Sequence, residues 1–67
     1  MELSTRNQLQ GTVKSVRTGT IMAEVVVDVG GQEVVSAITR GSVEKLQLEE
    51  GDAVTVLIKS TEVMLGK

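Results

Sequence analysis

The 67-residue chain has no cysteine, no histidine, no proline and no aromatic side chain. Without Cys or His, the usual ligand sets for zinc, haem and iron–sulfur clusters are missing, and thiol and imidazole chemistry go with them. No disulfide can form, which suits a reducing compartment. A positive excess is missing too. Seven Lys and Arg stand against nine Asp and Glu, a formal net charge of −2, which argues against a basic nucleic-acid footprint. No apolar run exceeds three residues (Val25 to Val27), far short of the roughly 20 that span a bilayer. The opening Met1-Glu2-Leu3-Ser4 lacks the charged-then-apolar layout of a signal peptide. The expectation is a single domain over residues 1–67, cytoplasmic and without a membrane partner.

What is present is valine. Twelve of the 27 apolar residues are Val, and none is larger than Leu, Ile or Met. A chain of this size with modest side chains normally needs a disulfide, a metal or a partner to hold its fold. The first two are excluded, so self-association is expected.

Between punctuating glycines the pattern is mostly period two, the strand signature. Strands are predicted over Gln8–Val16, Thr20–Val29, Gln32–Thr39, Ala53–Lys59 and, shortest, Thr61–Leu65. In the second, Ile21, Ala23, Val25, Val27 and Val29 form one apolar face. Gly30-Gly31 between the second and third strands reads as a two-residue hairpin turn, since both positions tolerate positive φ. Arg40 to Leu46 changes period, with Val43 and Leu46 three apart, and predicts one or two helical turns capped by Thr39. Glu49-Glu50-Gly51-Asp52 is a turn. Five strands with one short helix between the third and fourth make an all-β fold, a small closed or nearly closed barrel of the OB type. Val26, Val35, Leu57 and Met64 lie opposite the main apolar sets, and strands apolar on both faces must bury both. In a chain this small the second face meets another chain.

Five residues stand out chemically. Ser4 and Arg6, separated by Thr5, point to one side of an extended segment, so a hydroxyl and a guanidinium fork could share one anion. Lys59-Ser60 adds an ammonium and a hydroxyl after the fourth strand, and Thr39 stands at the mouth of the helix. Each has a plainer reading alone: a solvated terminus, a polar turn, a helix cap. Arg17-Thr18-Gly19-Thr20 is a turn and no phosphate loop, and Glu24 with Asp28 reads as a solvated or interfacial face. No nucleophile–base pair is present, so no enzyme is expected. Together Ser4, Arg6, Thr39, Lys59 and Ser60 form a set rich in donors. Such a set suits a fully deprotonated tetrahedral dianion better than hydrogen phosphate, whose proton needs an acceptor.

Four ordered segments carry a resemblance. They are Ser4-Thr5-Arg6-Asn7-Gln8-Leu9-Gln10-Gly11 with Val13; Ala23-Glu24-Val25; Ser42-Val43-Glu44-Lys45-Leu46 with Leu48 and Gly51; and Leu57-Ile58-Lys59-Ser60-Thr61 with Val63-Met64-Leu65. Over essentially the whole chain they resemble the molbindin (Mop) family. The resemblance implies an OB-type barrel assembled as a homo-hexamer, a trimer of dimers exchanging terminal strands, which stores and buffers molybdate or tungstate between subunits without a cofactor. It assigns Ser4, Thr5, Arg6, Thr39, Lys59 and Ser60 to the oxyanion. Arg6 and Lys59 are expected to converge on one dianion from different strands and different subunits. It also implies a second site on the threefold axis, tied through backbone N–H groups to Thr20, Ile21, Met22 and Ala23. Arg40-Gly41 departs from the family, whose members often place a side-chain cap there, and this puts the helix boundary in question.

Two other classes share the fold. An OB-fold single-strand nucleic-acid binder stacks bases on aromatics over a basic groove, and this chain has neither. A purely structural oligomerisation module would keep the apolar faces without affinity for oxyanions.

Overall fold

The computed structural model describes residues 4–67. The alternating segments become β1 (Asn7–Thr18), β2 (Met22–Val29), β3 (Gln32–Thr39) and β4 (Ala53–Ile58). Helix α1 (Arg40–Leu46) lies between β3 and β4, and a 3-10 turn follows at Ser60–Glu62. The strands form one antiparallel sheet in the order β3-β2-β1-β4. Gly30 and Gly31 take φ of +58° and +88°, the left-handed pair that a type I′ hairpin turn requires.

β1 serves two neighbours. Its first half, Asn7 to Thr12, pairs with β4, and its second half, Thr12 to Thr18, pairs with β2. Gly11 makes this crossing close: a Cβ there would lie 2.6 Å from Val27 Cγ1 and 2.7 Å from the Asp28 carbonyl oxygen. A bulge between Val13 and Ser15 adds local twist. Lys14, the extra residue, reaches across to Glu33 of β3. That hydrogen bond, then the charge of Glu33, holds the Lys14 ammonium above its ordinary pKa.

The core follows from the inward set of each strand. Val13, Ala23, Val25 and Val27 are buried together with Val43 of α1, ringed by Val16, Val29, Ile38, Leu48, Val54 and Val56. Val13 is held by its backbone as well: its N–H donates to Asp52 O (2.9 Å) and its carbonyl accepts from Gly51 N–H (2.8 Å). Thr39 caps α1, its Oγ1 accepting from Ser42 N–H at 3.1 Å. The helix therefore starts at Arg40 despite Arg40-Gly41, and Arg40 pairs with Glu44 one turn on at 3.0 Å.

Two expectations are corrected. The all-β reading holds, but the strands among the described residues number four. Residues 60–62 form the 3-10 turn, and residues 63–67 pair with nothing among the described residues. Val63 leaves the turn extended, at φ −88° and ψ 122°, yet an extended segment becomes a strand only beside an edge that accepts its hydrogen bonds. Ile21 is the second correction. It lies outside β2 and is 73% exposed, because the apolar face of β2 begins at Ala23. The barrel stays open: β3 and β4 are the sheet's edges. Its concave side holds a groove of about 600 Å³ lined by Val25, Ser36, Ile38, Val54 and Val56 with their neighbours.

Candidate functional site

The β1–β4 ladder ends with Asn7 opposite Ile58. Arg6 and Lys59 are the residues next beyond that last pair, outside the ladder; Thr5 precedes Arg6, and Ser60, which opens the 3-10 turn, follows Lys59. Four of these candidates, Ser4, Arg6, Lys59 and Ser60, are exposed, while Thr5 is half-buried. Gln8 Nε2 donates to the Thr5 carbonyl at 2.7 Å, and Asn7 Nδ2 donates to the Ile58 carbonyl at 3.1 Å. Among the described residues the salt bridges involve Lys14 and Arg40 only. Arg6 and Lys59, next beyond the last ladder pair on the two chain segments, are two cations at one end of the sheet that form no salt bridge among the described residues, and an anion between them would be held by both.

Thr39 lies elsewhere. It faces Met22 across the β2–β3 ladder, at the Thr18 end of β1, whereas Arg6 sits at the Asn7 end. The twelve residues of β1 separate these ends by on the order of 30 Å at the usual strand rise. At this second end Arg40 N–H donates to Ile21 O and Gly19 N–H to Met22 O, both at 2.7 Å. Thr39 Oγ1 also lies 2.8 Å from Ser42 Oγ. Thr20, Ile21 and Met22 are exposed beside Thr39. Ala23 is buried, paired with Thr18 on one side and Ile38 on the other. One chain thus gathers Ser4, Thr5, Arg6, Lys59 and Ser60 at one sheet end, and Thr39 with Thr20 to Met22 at the other. Arg6 and Lys59 leave the same end of the sheet within a single chain.

Chemically, the first cluster supplies a guanidinium, an ammonium and hydroxyls, with no carboxylate among its members. No group of three or more carboxylates that could hold a metal cation occurs among the described residues. The tie from Asn7 to Ile58 was not legible in the sequence, because nothing local links residues 51 positions apart.

The TOBE domain family matches residues 3–65. Molybdenum-pterin-binding protein 3 of Clostridium pasteurianum is 47% identical over 66 residues, covering 97% of both chains. The chain belongs to the molbindin (Mop) family. Among solved structures, a molybdate binding protein from Sporomusa ovata superposes on this Mop-family fold with a TM-score of 0.95 at 49% identity, over the full length of both chains. The cytoplasmic molybdate-binding protein ModG, in a form with molybdate bound, gives a TM-score of 0.85 at 41% identity. That match covers 90% of this chain and 43% of ModG. Membership in the Mop family means a binding rather than a catalytic role. No helix among the described residues is long and apolar enough to cross a membrane.

Proposed function

We propose that the chain binds molybdate or tungstate as the fully deprotonated dianion, at interfaces between copies of itself, and serves as a cytoplasmic store and buffer for these oxyanions. The observation that supports the reading is that the β1–β4 ladder ends at Asn7 and Ile58, so that two cations, Arg6 and Lys59, leave the same end of the sheet with hydroxyl residues next to them in sequence and no salt bridge among the described residues. Arg6 offers a planar fork and Lys59 a movable point charge. Ser4, Thr5 and Ser60 supply neutral donors to the remaining oxygens, and the unfilled position is taken by Thr39 of a second copy. In this reading the assembly is a homo-hexamer, a trimer of dimers in which the unpaired residues 63–67 lie against a neighbour's sheet edge. The Thr20 to Met22 turns meet on the threefold axis around a second oxyanion, reached through backbone N–H groups.

Several relatives are named for a molybdenum-pterin. The chain has no aromatic side chain on which a pterin ring could stack, which favours the bare oxyanion. Isothermal titration of the assembled protein with molybdate, tungstate, sulfate and phosphate tests the reading. Saturable molybdate binding supports it; heats no larger than buffer dilution for both molybdate and tungstate overturn it.

A further inference from the structure

Among the described residues, one side chain-to-backbone hydrogen bond joins two strands: Asn7 Nδ2 to the Ile58 carbonyl, 3.1 Å, part-buried. It sits on the last pair of the β1–β4 ladder. The ends of a ladder open most easily, and the two cations Arg6 and Lys59 follow directly beyond this one. The Ile58 carbonyl belongs to the peptide unit that leads into Lys59, and the Asn7 backbone follows directly from Arg6. One hydrogen bond therefore fixes both chains where the two cations leave the sheet. Asn7 is half-buried and shares the inward side of the ladder with Leu9 and Val13. It faces away from Arg6 by strand alternation, so it acts on the ligand only through its neighbours.

We infer that Asn7 is a positioning residue: its amide sets the spacing of Arg6 and Lys59, and that fixed spacing discriminates among tetrahedral dianions by size. The inference rests on the oxyanion reading given above. A rigid gap matched to molybdate cannot close around the smaller sulfate. A gap free to adjust accepts both.

The test uses Asn7→Leu, which keeps the branched side-chain shape and removes the donor, with Asn7→Ala beside it. Val13→Ala serves as a control that destabilises the core without touching the ladder end. Molybdate and sulfate are titrated into each assembled protein. The expected result for Asn7→Leu is molybdate affinity lowered about 5-fold, the worth of one hydrogen bond, with sulfate affinity held or raised. The molybdate-to-sulfate ratio falls while that of Val13→Ala stays at the wild-type value. An unchanged ratio in Asn7→Leu, or equal losses for both anions, overturns the inference. If Asn7→Leu does not assemble, the ratio in Asn7→Ala decides on the same terms. Failure of both to assemble makes Asn7 a purely structural residue and overturns it as well. Wild-type protein that ignores molybdate defeats the oxyanion reading instead, so the two failures remain distinct.

Discussion

Met22 and Thr39 face one another across the β2–β3 ladder, at the end of the sheet remote from the Asn7–Ile58 pair that closes the β1–β4 ladder. Thr39 and Arg6 of one chain therefore lie at opposite ends of the sheet, and a site that uses both is expected to join two copies. Mixing tests this. Hexamers that combine Arg6→Ala chains with Thr39→Ala chains hold some sites with both side chains intact. They are expected to recover part of the tight molybdate binding lost by each variant alone. No recovery on mixing would place the two residues in separate sites.

Assembly is expected to be obligate. Val35 on the outer face, and Val63, Met64 and Leu65 in the tail, are all exposed in the single chain. Sedimentation should give six copies of the 7.1 kDa chain, about 43 kDa. A chain ending at Thr61, which lacks the unpaired apolar tail, should fail to reach that mass. A folded monomer of the full chain at micromolar concentration would contradict the assembly.

Arg6→Ala and Lys59→Ala should each weaken molybdate binding roughly 10- to 150-fold, the range for a hydrogen bond to a charged group. Arg6→Lys restores the charge without the fork and should recover part of the loss. Ser4→Ala and Ser60→Ala should cost about 5-fold each, as neutral donors. Thr39→Ala should do the same and also lower stability by about 1 kcal/mol through the lost helix cap. Wild-type affinity in an assembled Arg6→Ala protein would remove Arg6 from the site.

Selectivity should follow protonation and size. A cluster of two cations and hydroxyls should prefer molybdate and tungstate, take sulfate weakly and disfavour hydrogen phosphate, whose proton has only neutral hydroxyl oxygens and no carboxylate to accept it. Competition titrations near neutral pH measure the order, and equal binding of phosphate would mean that the hydroxyls serve as acceptors and that the argument from donors fails.

Gly11→Ala should destabilise the fold by about 1–3 kcal/mol, the usual cost of overpacking. One of the atoms its Cβ would meet is the Asp28 backbone oxygen, at 2.7 Å. Urea unfolding at fixed protein concentration reads this directly, and an unchanged midpoint would mean that β1 crosses β2 less tightly.

Much of this architecture was legible in the residues. Gly30-Gly31 gave the hairpin, and Thr39 was read as the cap that now accepts from Ser42 N–H. Alternation identified Ala23, Val25 and Val27 as the inward set, because period two reports which face a side chain takes. It does not report whether a pairing edge exists in the same chain, which is why Thr61 to Leu65 read as a strand and is unpaired here. The site was legible as residue types only. That Arg6 stands near Lys59 and far from Thr39 depends on register between segments distant in sequence, and no local pattern carries that.

The open edges have a consequence before any ligand is met. β4, Ala-Val-Thr-Val-Leu-Ile over 53–58, has no charge and no proline, and it is an edge strand. β3, the other edge, carries one charge, Glu33. Exposed edges of this composition pair with any extended backbone they encounter, and short uncharged β-rich segments are the sequence signature of amyloid. Asp52 and Lys59, flanking β4, are its only charged gatekeepers. A newly made chain is therefore in a race between its proper neighbours and aggregation, and whatever hastens correct docking also guards the cell against this protein's own strands.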